Sequence, residues 1–292
     1  MLDNIYKCKR NSGEFKFTIL IPSWNNLPYL KLCVNSILQH SYFKHQLLVI
    51  VNEGNDGTLE WVKSQSGIDY IYSEQNIGIC YALNCCRKLI DAEYVVYAND
   101  DMFFLPDWDK ALSDEITKIG HKLFMLSATM IEPAGNNVAT VAADYGTCIE
   151  NFREQDLIAE YKSLCRNDWS GSCWPPNVMH IDCWDIIGGM SVEFSPGMYS
   201  DPDLARKLWE IGVRTFKGKG DSLVYHFGQR STKRIRKNKG AKTFTLKWGI
   251  SARTFMKSYL CIGSDAVNTL PDYTLASKSK ANQLIKRIKS CF

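Results

Sequence analysis

Asn99, Asp100 and Asp101 follow the apolar run Tyr94–Tyr97, so two neighbouring carboxylates stand at the end of what reads as a buried strand. Burying a charge is costly unless it is paired or bound to a metal, and adjacent carboxylates repel. The stretch calls for solvent or a cation. A carboxylate at a strand end can hold a divalent cation that bridges the two phosphates of a nucleotide. The plainer alternative is an Asp/Asn-rich turn that caps a helix beginning near Trp108. His226 ends a second apolar run, Asp221–Gly228. It is a metal ligand only if the fold brings it to Asp101, and otherwise a structural histidine. Asp201 is expected to cap a helix, with Pro202 at the first helical position and Leu204 and Leu208 four apart. A carboxylate held there in one rotamer also suits a general base, although the helix dipole lowers its basicity.

Other chemistries find less support. No G-x-G-x-x-G follows the first strand, and neither G-x-x-x-x-G-K-[ST] nor G-x-S-x-G occurs, which argues against a dinucleotide cradle, a P-loop and a serine hydrolase. Cys165, Cys173, His180 and Cys183 lack paired C-x-x-C spacing and read as core residues rather than a zinc site.

The elements that must position these residues follow a repeating plan. Phe15–Asn25 is a β-rich run stopped by Pro22, and Leu27–Gln39 has helical apolar spacing. Gln46–Thr58 repeats strand and turn, with a helix from about Thr58; Ile68–Asp91 repeats it again, and Glu93–Asp101 is a fourth strand. Such alternation predicts a largely parallel sheet with helices on both faces, whose ligands bind beyond the carboxyl ends of the strands. The polar clusters 23–26, 52–56, 76–78 and 99–101 all fall there. Further on, Asn151–Leu164 reads as helix, Arg166–Asn177 as loop, Val178–Gly189 as a strand ending in paired glycines, and Asp201–Gly212 as helix.

The chain has 292 residues, enough for one large domain or two smaller ones, and an ordinary globular composition. Eleven cysteines without framework spacing, and no apolar leader or membrane span, fit reduced thiols in a cytoplasmic protein. The net charge of +4 is unevenly spread: Ser231–Lys242 carries six basic residues and no acid, and the tail from Ala276 five more. Solvated segments are the plain reading; an anionic membrane surface, a diphosphate or nucleic acid are the functional ones. Leu284, Ile285 and Ile288 fall on one face of a short helix, which favours a surface-lying tail.

Taken in order, these motifs resemble the inverting family 2 glycosyltransferases of the GT-A fold, a Rossmann-like α/β architecture. The resemblance covers roughly Phe15–Ser231 and rests on TILIPSWNNLPYLKLCVNSIL, VNEGNDGT, NIGICYALN, Asn99-Asp100-Asp101, IGGM, SDPDLARKLWEIG and VYHFGQRS. It implies that Pro22, Trp24 and Asn25 line a nucleotide pocket, that Glu53 approaches the base, and that Asn76 and Gly78 shape the wall. Asn99 and Asp100 would face ribose and diphosphate, Asp101 and His226 would hold Mn²⁺ or Mg²⁺, and Asp201 would deprotonate the acceptor. The implied partners are a nucleoside diphosphate sugar and a glycan or lipid-linked acceptor in cell-surface polysaccharide synthesis. Nucleic acid is not among them, and the basic tail would let the protein sit peripherally at the inner face of the membrane. Three positions depart from the pattern: Asn52 stands for an Asp in a turn one residue short, Asn99 for the first Asp of Asp-x-Asp, and Ser200 for a Glu. The expected division is an extension over 1–14, the GT-A domain over 15–231 and a basic region over 232–292. The alternatives are a nucleotidyltransferase, which lacks its basic Gly-rich turn here, and a degenerate GT-A domain that binds without turnover.

Overall fold

The computed structural model describes residues 4–135, 137–228, 238–273 and 277–290. The strands are β1 (Ile5–Cys8), β2 (Thr18–Trp24), β3 (Gln46–Asn52), β4 (Ile68–Ser73), β5 (Tyr94–Tyr97), β6 (Met102–Phe104), β7 (Phe124–Glu132), β8 (Thr140–Ala142), β9 (Trp169–Ser170), β10 (Asn177–His180) and β11 (Thr215–His226). The helices are α1 (Leu27–His40), α2 (Thr58–Ser64), α3 (Gly78–Cys85), α4 (Trp108–Ile119), α5 (Glu154–Glu160), α6 (Ile181–Ile187), α7 (Ser200–Glu210), α8 (Gly240–Trp248), α9 (Ala252–Thr254) and α10 (Ser277–Lys289).

The expected α/β architecture is present. Strands β4-β3-β2-β5 are mutually parallel and form the centre of one sheet. Both faces of these strands are buried, so each strand reads as a nearly continuous apolar run. Ile19, Ile21, Leu47, Val49 and Val51 pack toward α1, α2 and α4. The alternate residues Leu20, Leu48 and Ile50 pack toward α3, α7 and α8.

The sheet also extends in ways the sequence did not announce. β1 adds an antiparallel edge to β4, so part of the N-terminal extension joins the sheet. Antiparallel β10 sits between β5 and β7, and β11 runs parallel to β7 and antiparallel to β6. Val178–Gly189 is a strand only to His180; the chain then turns into α6, and Gly188 ends that helix in the left-handed region. Pro22 lies inside β2 rather than stopping it. Its missing donor points toward β5, where the ladder with β2 has already ended at Leu20 and Tyr97. Residues 231–237 of the basic run lie outside the described residues.

Candidate active site

Strand register explains how Asp101 and His226 meet. β6 begins directly after Asp101 and pairs antiparallel with β11, setting His226 opposite Met102. Phe227 N then donates to Asp101 O at 3.2 Å, and His226 Nε2 lies 3.4 Å from Asp101 Oδ1. On the other side of the ring, Nδ1 lies 2.8 Å from Glu132 Oε1 at the end of β7. Both carboxylates and the imidazole are buried. Burial opposes a charged imidazole, but Asp101 and then Glu132 outweigh it and hold the His226 pKa up at about 10. The Asp100–Asp101 pair does not cap the next helix. The residue at the start of α4 is Asp107, without a side-chain cap bond.

The residues expected to line a nucleotide pocket gather at neighbouring strand ends. Asn25, in the left-handed region at φ 46°, donates from Nδ2 to Glu53 Oε2 at 3.0 Å and accepts Asn55 N at 2.8 Å. Glu53 is itself left-handed at φ 63°. Pro22 and Trp24 lie at the end of β2, in register with Ile50 and Asn52 of β3. Asn52, at the position where the resemblance leads one to expect Asp, accepts Ile77 N at 3.2 Å and so anchors the next loop. There Asn76 Oδ1 accepts Gly78 N at 2.9 Å. Gly78 has φ +71°, and a Cβ on it would sit 2.5 Å from Ser195 Oγ and 2.9 Å from Pro196 Cα. Only glycine fits that approach. Asn99 Oδ1 accepts the Tyr97 hydroxyl at 3.1 Å.

Asp201 lies in the first turn of α7 rather than at its cap, which is Tyr199 in the left-handed region. The residue retains some exposure, yet Oδ1 is sealed from solvent without a hydrogen-bond partner among the described residues. Burial alone pushes its carboxyl up to about 7. Tyr97 links this corner to the other. Its hydroxyl is driven far above its ordinary range by burial first, then by Asp201 and Cys80, then by Asp101 and Asp100. The base candidate and the acidic strand end therefore face one buried phenol.

Several residues that shape the site were missed in the sequence. Glu132 follows the run Phe124–Ile131, in which Met, Leu, Ser and Ala dilute the strand signal of Phe, Thr and Ile; its place before Pro133-Ala134-Gly135 was the available clue. Asp203, within SDPDLARKLWEIG, is fully buried, accepting Trp248 Nε1 at 2.7 Å and pairing with Lys247 Nζ at 3.0 Å. Asn84 exchanges both amide groups with Met190, at 2.7 and 2.8 Å, and so ties α3 to the loop before α7. Trp169 and Trp184 are core residues, and His180 Nδ1 accepts Asp182 N at the start of α6. No group of three His, Cys, Asp or Glu side chains among the described residues is arranged to hold a metal by itself.

Asp101 and His226 nevertheless fit a divalent cation. They would offer one oxygen donor and, with the Nε2 proton displaced by the cation, one nitrogen donor in an acidic, buried corner, and the Glu132 contact fixes which ring nitrogen faces Asp101. Two protein ligands suffice where phosphate oxygens complete the shell.

Comparison with known proteins gives a consistent picture. The family model "Glycosyl transferase family 2" matches residues 18–163, half of the chain. Glycosyltransferase GlyA of Streptococcus pneumoniae is 31% identical over 107 residues, covering 35% of this chain and 15% of that protein. An uncharacterized glycosyltransferase of Rickettsia conorii is 29% identical over 133 residues, covering 44% of this chain and 22% of the relative. The matches thus span well under half the length of these relatives. Among solved structures, S. aureus TarS in complex with UDP-GlcNAc superposes with a TM-score of 0.59 at 12% identity, covering 94% of this chain and 72% of TarS. Mannosyltransferase PcManGT from Pyrobaculum calidifontis, in complex with GDP-Man and Mn²⁺, gives 0.51 at 15% identity, covering 83% and 63%. These likenesses establish the GT-A fold.

Proposed function

The chain belongs to glycosyl transferase family 2, and from that membership we propose that it moves a sugar from a nucleoside diphosphate to a hydroxyl of a glycan or lipid-linked acceptor, with inversion. The observation that carries the reading is the meeting of His226 with Asp101 at 3.4 Å, beside the cluster of strand ends that holds Asn25, Glu53 and Asn99. Solved relatives of the fold carry UDP-GlcNAc or GDP-Man, which supports a nucleotide-sugar donor without choosing its base.

In this reading Pro22, Trp24, Asn25 and Glu53 receive the base and ribose, while Asn76 and Gly78 form the wall beside them. Asn99 and Asp100 face the ribose and diphosphate. Asp101 and His226 hold Mn²⁺ or Mg²⁺, and Glu132 keeps the imidazole turned toward it. When bound, the cation supplies positive charge to the departing diphosphate. Asp201 takes the acceptor proton as the acceptor oxygen attacks the anomeric carbon from the face opposite the diphosphate. The bond to the diphosphate breaks as the new glycosidic bond forms. A carboxyl pushed to about 7 is a stronger base than an ordinary aspartate, and about half of it remains ionised in neutral solution. We place the reaction in the cytoplasm, near the inner face of the membrane, in cell-surface polysaccharide synthesis.

Calorimetric titration of UDP, GDP and dTDP, each with and without Mn²⁺, tests the reading. It expects one diphosphate to bind in a metal-dependent way and Asp101→Ala to abolish that dependence. Metal-independent binding, or none, would overturn the donor site. Hydrolysis or transfer from the matching sugar donor separates an enzyme from a binding domain.

A further inference from the structure

Helix α10 is fastened to the body of the protein through Gln283, the one buried side chain among those described in the helix. Gln283 Oε1 accepts Ser251 N at 3.1 Å, and its Nε2 donates to Thr254 Oγ1 at 3.0 Å. These two bonds from one amide set the rotation of the helix. At about 100° per residue, Leu284, Ile285 and Ile288 fall on the side away from Gln283. They are 59%, 51% and 52% exposed. The usual surface helix turns its apolar stripe to the core and its polar side to water. Here a polar side chain makes the attachment and the apolar stripe faces outward.

Charge narrows what can cover that stripe. Lys280 and Lys289 flank it, Lys286 and Arg287 lie nearer the Gln283 side, and α10 contains no acidic residue. The basic run from Ser231 leads directly into α8, the helix against which α10 packs. Among the described residues, no helix is long and apolar enough to cross a membrane. A short helix with a narrow apolar face, basic flanks and low overall hydropathy belongs in the plane of a bilayer surface. A second copy of the chain would need an apolar patch ringed by acids. An anionic bilayer offers hydrocarbon and negative headgroups together.

We propose that α10 docks the protein on an anionic lipid surface, with Leu284, Ile285 and Ile288 inserted at the interface and the flanking lysines on the headgroups. The inference deepens the proposed membrane-side location but does not depend on donor chemistry. Co-sedimentation of the full chain with vesicles of phosphatidylcholine alone, or mixed equally with phosphatidylglycerol, tests it. Wild type is expected to partition at least about tenfold more strongly onto the anionic vesicles, and to release as salt rises and screening shortens. The triple variant Leu284→Gln, Ile285→Gln, Ile288→Gln is expected to lose about tenfold of that partitioning. Lys280→Glu with Lys286→Glu and Lys289→Glu should lose at least as much. Both sets lie on exposed positions, and unchanged thermal melting confirms that they fold.

Equal sedimentation of wild type and the triple glutamine variant would overturn the proposal. So would a concentration-dependent dimer, seen by light scattering, that the glutamines abolish in the absence of lipid; the stripe would then belong to a second copy. Nucleotide titrations on the same samples keep the two readings apart. Vesicle binding without any diphosphate binding would sink the donor site and leave this surface standing.

Discussion

Asp201 sets two effects of opposite sign against each other. The start of α7 favours a negative charge by about 0.3–1 kcal/mol at most exposed sites. Sealing Oδ1 without a partner disfavours it more, and burial wins: the carboxyl rises to about 7. Its folded-state pKa thus lies above the unfolded value of about 3.9. The stability of the neutral form is therefore complete below pH 4 and is lost as pH climbs through 7. Asp201→Asn is expected to be more stable than wild type at pH 8, by at least about 1–3 kcal/mol, because the amide avoids burying a charge without a partner. That gap should close near pH 4 in thermal scans. The same substitution should cut transfer by about 10²–10⁴-fold, the usual worth of a positioned general base. A variant that transfers normally would move the base elsewhere. Glu132 is the complementary case, a carboxylate that acts through its neighbour. With the ring released, Glu132→Ala is expected to weaken Mn²⁺ binding in the presence of nucleoside diphosphate by about 10–100-fold. Glu132→Gln, which can still accept from Nδ1, should lose less. Manganese EPR titration reads both; identical affinities would make the Glu132 contact merely structural.

At the scale of elements, the site depends on helices fixed from outside the matched family region. Asp203 in α7 is held by Trp248 and Lys247 of α8, so α8 governs how α7 presents Asp201. Trp248→Phe keeps the ring and removes the donor to a buried carboxylate. A loss of about 1–3 kcal/mol in urea unfolding is expected, with kcat falling while diphosphate affinity is retained. Unchanged urea stability would show that Lys247 alone satisfies Asp203. What the sequence disclosed and what it hid follow from how far each signal reaches along the chain. The first strands and helices were legible because a continuous apolar run such as Ile19-Leu20-Ile21 is a local pattern, and strand ends could then be named from turn residues. The contact of His226 with Asp101 was stated only as a condition, because it depends on β11 pairing with β6, whose partners Met102 and His226 lie more than a hundred residues apart. β7 escaped notice because Leu, Met and Ala favour helix as readily as strand. The burial of Asp203 was not legible because its partner Trp248 lies 45 residues on.

The molecule as a whole divides differently from its motifs. Family-like motifs run to about Ser231, which invites a boundary there. Yet Phe244, Ile250, Phe255, Leu260 and Leu270 belong to the same buried cluster as Leu20 and Leu48 of the central strands, and none is more than 4% exposed. Five such side chains are together worth about 8–15 kcal/mol of burial, at about 1.5–3 kcal/mol each. That equals the entire net stability of an ordinary domain, about 5–15 kcal/mol. A chain ending at Ser231 is therefore expected to lose its cooperative thermal transition and its near-ultraviolet circular dichroism. A chain ending at Tyr273 removes α10, in which Gln283 is the one buried side chain among those described, and should melt cooperatively within a few degrees of the full protein. If the shorter fragment melted cooperatively, residues 232–270 would form an appendage rather than part of the core. In that case α8 could not be what holds α7 and Asp201 in place.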